Sequence, residues 1–343
     1  MRKFKNIILA AAICLVIPAA LNFISYYGYV STYPAKTFDV ESFNENLGYG
    51  VYQHRVLGKA LLMYLNEIVA SINFPQNINT FNKIREFLDV DSLSLYHSFF
   101  ILNTLFLCCT AFVLYFIYNL RWVRLSEMEK ILSVLTITAI ISISQFVILP
   151  YDVLSYFLIS LAVLLLLVKK SIFTTMLLTA VLVLGALTRE TIALIFPLYI
   201  VILLRKDEWE FNVNKSELFL FIIIFSAIYL GLRIIYGFES SFSGRISFPD
   251  NIISPQNLIG FLFMICTLLI FLFNEQTKRP ALIFLTLSSP YFLLILLTGI
   301  MFEIRLFVPV FILLMIIMMI SRSKSDALDN DMTIKKESIQ TPH

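Results

Sequence analysis

About ten apolar stretches follow one another along this chain with little polar sequence between them, near residues 6–24, 95–120, 131–149, 153–168, 171–187, 191–204, 218–236, 258–273, 281–302 and 306–320. A helix crossing the hydrocarbon core of a bilayer takes about 20 residues, and most of these stretches approach that length. Composition agrees. Of 343 residues, 59% are apolar and 14% charged, and the mean hydropathy is +0.85. The expected fold class is therefore all-α, a polytopic membrane bundle of about ten transmembrane helices with no soluble domain of any size.

Sidedness follows from the basic residues, because Lys and Arg in short loops resist translocation. Arg2/Lys3/Lys5, Arg121/Arg124/Lys130, Lys169/Lys170, Arg205/Lys206/Lys215, Lys278/Arg279 and Arg322/Lys324/Lys335/Lys336 all fall on one side if every stretch crosses once. Both termini are then cytoplasmic. The first stretch has the basic start and small residues (Ala19, Ala20) of a signal peptide, and is read as an uncleaved first helix. The domain organisation expected is one integral membrane unit over 1–321, with 31–94 as a first outer loop and 322–343 as a disordered cytoplasmic tail. Cys14, Cys108, Cys109 and Cys266 all sit in apolar stretches, which suits neither a disulfide framework nor a metal site. The net charge of +3 reflects loop bias and gives no support to a nucleic-acid partner.

Three of the connections are almost absent. Pro150-Tyr151-Asp152, Thr188-Arg189-Glu190 and Phe302-Glu303-Ile304-Arg305 join apolar stretches directly. Two full spans and a surface loop need well over about 40 residues, more than 171–204 contains. Arg189 and Glu190 therefore lie at membrane depth. A charge there costs about 2.5–3.5 kcal/mol on insertion scales and usually faces a water-filled site. Arginine suits such a place, since a guanidinium chelates phosphate oxygens in pairs and keeps its charge when partly buried. Adjacent residues on a helix do not face each other, so Glu190 need not neutralise Arg189.

The long segment 31–94 is expected outside, between the first and second helices. Its first part is irregular and acidic, with Asp39, Glu41 and Glu45. From Arg55 onward Val56, Leu57, Ala60, Leu61, Tyr64, Leu65, Ile68, Val69 and Ile72 recur at helical spacing among Lys59, Asn66 and Glu67. That pattern predicts an amphipathic helix lying in the interface or on the bundle, and a second short one is expected around 81–88.

An N-terminal helix, a large acidic first outer loop with amphipathic helices, and charged outer tips together resemble the GT-C superfamily of membrane glycosyltransferases. Tyr52-Gln53-His54-Arg55-Val56-Leu57, Asp152 after the third helix and Arg189-Glu190-Thr191 between the fifth and sixth are similar to small bacterial members of that group. The resemblance implies a polyprenyl-phosphate-linked sugar as donor and a glycan or glycolipid as acceptor. It also implies transfer on the periplasmic or exterior face of a bacterial inner membrane, with an acid of the first outer loop as base. Asp39 best matches that base by position, with Glu41 and Glu45 as open alternatives. His54, Arg55, Asp152, Arg189, Glu190, Arg245, Glu303 and Arg305 are the candidate substrate-binding residues. A divalent metal such as magnesium or manganese is left open.

Other readings stand beside these. The loop acids can be plain solvated residues, Asp152 can cap its helix, and the arginines and acids of the tips can form structural ion pairs. An O-antigen or exopolysaccharide polymerase would use similar outer arginines, although its large loop tends to come later in the chain. A lipid-linked oligosaccharide transporter or flippase would instead distribute polar groups along a midplane path, often in repeated halves.

Overall fold

The computed structural model describes residues 2–29, 38–46, 50–72, 79–90, 92–120, 122–123, 125–209, 213–237 and 247–323. Among these residues every regular element is helical. Helix α1 (Ile7–Gly28) continues a helix that begins at Arg2 and contains two π-helical turns, Ala12–Val16 and Ile24–Gly28. After it come the short α2 (Val40–Asn46), a 3-10 turn (Gly50–His54), α3 (Val56–Ser71) and α4 (Asn79–Leu88). Helices are thus present, as α3 and α4, at both places where the sequence predicts amphipathic ones.

The apolar stretches then follow as α5 (Ser94–Tyr118), α6 (Glu127–Ser144), α7 (Asp152–Leu167), α8 (Ile172–Thr188), α9 (Glu190–Leu204) and α10 (Lys215–Tyr236). Beyond the short α11 (Phe248–Ile253) lie α12 (Pro255–Phe273), α13 (Glu275–Leu287), α14 (Ser289–Thr298) and α15 (Val308–Ser323). Four of these helices, α1, α5, α10 and α12, are long and apolar enough to cross a membrane. The pair α13 and α14 adds a fifth span if taken as one, bent by 56° where Ser288 and Pro290 interrupt it.

Helices α7, α8, α9 and α15 are apolar but short. At 1.5 Å per residue the 17 residues of α8 make about 25 Å and the 16 of α7 about 24 Å, against about 30 Å of hydrocarbon. Both are shorter than that thickness, and a single residue, Arg189, separates α8 from α9.

The core is continuous through α5, α6, α7, α9 and α15, where Val134, Ile137, Ile159, Val163, Leu198, Ile202, Leu313 and Ile316 are buried. Helix α15 is buried on nearly every side, whereas α10 buries only Phe221 and shows Ile222, Ile234, Ile235 and other apolar side chains at its surface. An apolar helix with apolar side chains outward is what a hydrocarbon solvent selects. Segments expected on the basic side pair with one another: Arg322 with Glu129 at 2.7 Å, the Ser323 hydroxyl with the Trp122 carbonyl at 3.1 Å, and Lys170 with Glu217 at 2.5 Å.

Helix α3 buries a narrower stripe than its sequence suggests. Gly58, Leu62, Asn66 and Val69 face inward, while Tyr64, Ile68 and Ile72 are exposed. Gly58 explains the choice of face: a Cβ there would lie 2.9 Å from the Tyr151 Cβ and 3.0 Å from the Pro150 carbonyl oxygen. Glycine lets α3 seat against the first hairpin tip, and this sets where Arg55, one residue before the helix, enters the bundle.

Candidate anion site at the hairpin tips

The three charged tips converge. Asp152, at the start of α7, has no exposed surface and accepts from two arginines, Arg189 Nη1 on Oδ1 at 2.5 Å and Arg305 Nη1 on Oδ2 at 3.1 Å. Its carboxylate makes no cap bond to the helix, and the position before it, Tyr151, is not a side-chain cap either. Capping alone therefore does not account for Asp152. Arg305 also donates from Nη2 to Glu303 Oε2 at 2.6 Å, and its carbonyl accepts from the Tyr156 hydroxyl at 2.8 Å.

Arg189 and Glu190 do not pair with each other. Arg189 has extended backbone between α8 and the 3-10 turn that opens α9, so its neighbour's side chain departs in another direction. Glu190 instead accepts from Arg55, at 2.5 Å from Nη2 and 3.3 Å from Nε. The Arg55 guanidinium lies 4.5 Å from the Tyr151 ring centre and 5.4 Å from that of Tyr52, and those two rings stack. Three arginines and three carboxylates thus meet where the first-loop segment, the α7 start, the α8–α9 turn and the segment before α15 come together.

The third tip is held from the side. Asn251 donates to the Leu296 and Gly299 carbonyls and accepts from the Met301 amide at 3.1 Å, while Asn257 accepts from the Phe302 amide at 3.2 Å. Gly260 of α12 sits against this backbone so closely that a Cβ would come within 2.4 Å of the Met301 oxygen. Neither asparagine nor either glycine stands out in the sequence as part of a site. Their role depends on which backbones approach, which spacing along one chain does not reveal.

Three donors in the cluster are buried without a hydrogen-bond partner among the described residues: Arg189 Nε, Arg305 Nε and the Tyr151 hydroxyl. Buried polar groups are nearly always satisfied, so a concentration of orphan donors at one place calls for an acceptor. An anion supplies several acceptor oxygens at once, and arginine is the residue best shaped to meet them.

The remaining candidates are dispersed. Asp39 is exposed and accepts from the Ser42 amide at 2.9 Å, the geometry of a helix cap for α2. That Ser42 amide holds the Asp39 carboxyl below the usual carboxylate range. Glu41 and Glu45 are also exposed on α2. Helix α2 is anchored by Phe43 and, just before it, Phe38, which pack edge-on against Phe99, Phe38 also meeting Tyr96, at the start of α5. Among the described residues no ion pair joins these acids to the arginines. His54 is buried beside the Gly237 carbonyl, 3.0 Å from Nε2. Arg245 lies outside the described residues. Among those residues no group of three or more His, Cys, Asp or Glu side chains is placed to hold a metal ion.

Comparison with protein-family models, with curated proteins and with solved structures finds no match to this chain.

Proposed function

We propose that this protein is a membrane glycosyltransferase of the GT-C kind, moving a sugar from a polyprenyl-phosphate carrier to a glycolipid or surface-polysaccharide acceptor. The observation that carries this reading is the convergence of Arg55, Arg189 and Arg305, from three distant parts of the chain, on one end of a helix bundle. A lipid-linked phosphate has its headgroup near the interface and its chain in the hydrocarbon. A cluster of arginines just beneath that interface, with buried donors still lacking acceptors, suits its phosphate.

Asp152 acts in this reading as the anchor that fixes two guanidiniums in place. It has no free oxygen with which to take a proton from an attacking hydroxyl. The basic loops imply that the tips face the periplasm or exterior of a bacterial inner membrane, with both termini cytoplasmic. Collection of the charges at one end favours this over a transporter, which needs polar groups along a path through the membrane.

The test is sugar transfer in proteoliposomes of the full chain supplied with radiolabelled polyprenyl-phosphate sugars. Arg189→Ala at matched folded protein is expected to lower transfer about 100-fold or more, as loss of a preorganised electrostatic donor does. Wild-type transfer by Arg189→Ala, or no transfer by the wild type from any such donor, would refute the assignment.

A further inference from the structure

The three carboxylates of the cluster are not held alike. Asp152 is fully buried with both oxygens engaged, and Glu303 is nearly buried on Arg305. Glu190 has 31% of its side chain exposed and, among the described residues, pairs with Arg55 alone. Arg55 itself is closed in by the Tyr151 and Tyr52 rings and is 7% exposed. The edge of its guanidinium that Glu190 occupies is the edge left for an incoming anion. Charge leads to the same place. Three arginines face three carboxylates, so the cluster is neutral as it stands, and it gains net attraction for an anion only when a carboxylate leaves. Glu190 is the carboxylate free to do so.

Resting on the transferase reading, we propose that the Arg55–Glu190 pair is a latch: a phosphate oxygen of the lipid-linked donor takes the place of Glu190 on Arg55, and the released carboxylate is the proton acceptor for the attacking hydroxyl. In the step itself the acceptor oxygen forms a bond to the anomeric carbon. The bond from that carbon to the phosphate oxygen breaks, the electron pair leaves with the phosphate, and the hydroxyl proton passes to Glu190. While paired, both Glu190 carboxylate oxygens are engaged by Arg55. Displacement frees them only when a donor is in place, so the latch ties proton removal to donor binding. Buried Thr191, Ile192 and Leu194 keep the 3-10 turn in position while the Glu190 side chain moves. Asp39, exposed and capping α2, has no comparable link to the arginines.

The test compares the full-length wild type with Glu190→Gln and Glu190→Asp in detergent, using dodecyl phosphate and inorganic phosphate as probes, alongside the transfer assay. Glu190→Gln removes the competing charge but not Arg55. It is expected to bind dodecyl phosphate about tenfold more tightly, a modest fraction of a full charge–charge term, and to gain for inorganic phosphate in the same direction. Transfer is expected to fall about 100-fold or more with loss of the proton acceptor. Glu190→Asp, which keeps the charge and folds with the smaller change, should retain part of the transfer and gain no affinity. Equal or weaker binding of both probes by Glu190→Gln would overturn the latch, and undiminished transfer by that variant would overturn the proton-acceptor role. If the wild type transfers no sugar, the transferase reading and the proton-acceptor role fall together, and the binding comparison still decides the latch.

Discussion

Replacing Asp152 by Asn should be the most destabilising single change at the tips. The side chain keeps its size but loses the charge that two buried guanidiniums share, and its amide nitrogen then points a donor at one of them. Removing one partner of a buried pair costs about 3–5 kcal/mol, mostly from the charge left behind. Arg305 retains Glu303 at 2.6 Å, so the stranded group is Arg189, which is 2% exposed. The expected loss is that of one full buried pair, about 3–5 kcal/mol, with no discount for solvent screening. Glu303→Gln should cost less, about 1–3 kcal/mol, because Arg305 keeps Asp152. Unfolding of the full chain in mixed dodecyl maltoside and dodecyl sulfate micelles, followed by far-ultraviolet circular dichroism, measures both. Adding Arg189→Gln to Asp152→Asn removes the stranded charge and should recover at least about 1 kcal/mol relative to additivity. Asp152→Asn within about 0.5 kcal/mol of the wild type, or strict additivity in the double variant, would refute the shared-carboxylate account.

Gly58→Ala should act through close approach. Its Cβ meets backbone and Cβ atoms of the first tip at 2.9–3.0 Å, so α3 must shift, at about 1–3 kcal/mol. The same micelle titration measures this, and a neutral Gly58→Ala would show that α3 is not seated on Tyr151. Acidification should loosen α2. The Asp39 pKa is lowered from the ordinary 3.8, first by the Ser42 amide. Its cap is therefore fully present above that value and lost as pH falls through the lowered one. Hydrogen exchange at Ser42, corrected for intrinsic rate, should speed up over that range, and Asp39→Ala should abolish the dependence.

Much of the helix layout was legible because apolar runs dominate the chain, and every run named from the sequence contains a helix. The ends were less so. Helix α6 begins at Glu127, four residues before its apolar run, because Ser126 and Glu129 form a capping box that draws charged residues into the first turn. It ends at Ser144, and the chain then proceeds irregularly to Pro150. The run 281–302 breaks at Ser288 and stops being helical after Thr298, where Asn251 takes up the freed carbonyls. For the site, only the α8–α9 connection at Arg189 is as short as the sequence suggests; residues 145–151 separate α6 from α7, and residues 299–307 separate α14 from α15. The partners were not legible: Arg55 and Glu190 are 135 residues apart, and nothing local distinguishes that pairing from Arg55 with Asp152 or Glu303. The apolar pattern of α3 also misled about its buried face, since a glycine and an asparagine line the contact while Tyr64 and Ile68 point away.

The short arms of α7, α8 and α15 make the setting of this cluster a property of the lipid as well as of the protein. Where helices fall about 5 Å short of the hydrocarbon thickness, the bilayer thins beside them or the polar tips draw water inward. A thinner membrane relieves that mismatch and a thicker one deepens it. Short-chain lipids should therefore bring the arginines nearer to a headgroup, and long-chain lipids should carry the headgroup away from them. The same chain would then sort, and work, according to the thickness of the membrane it occupies.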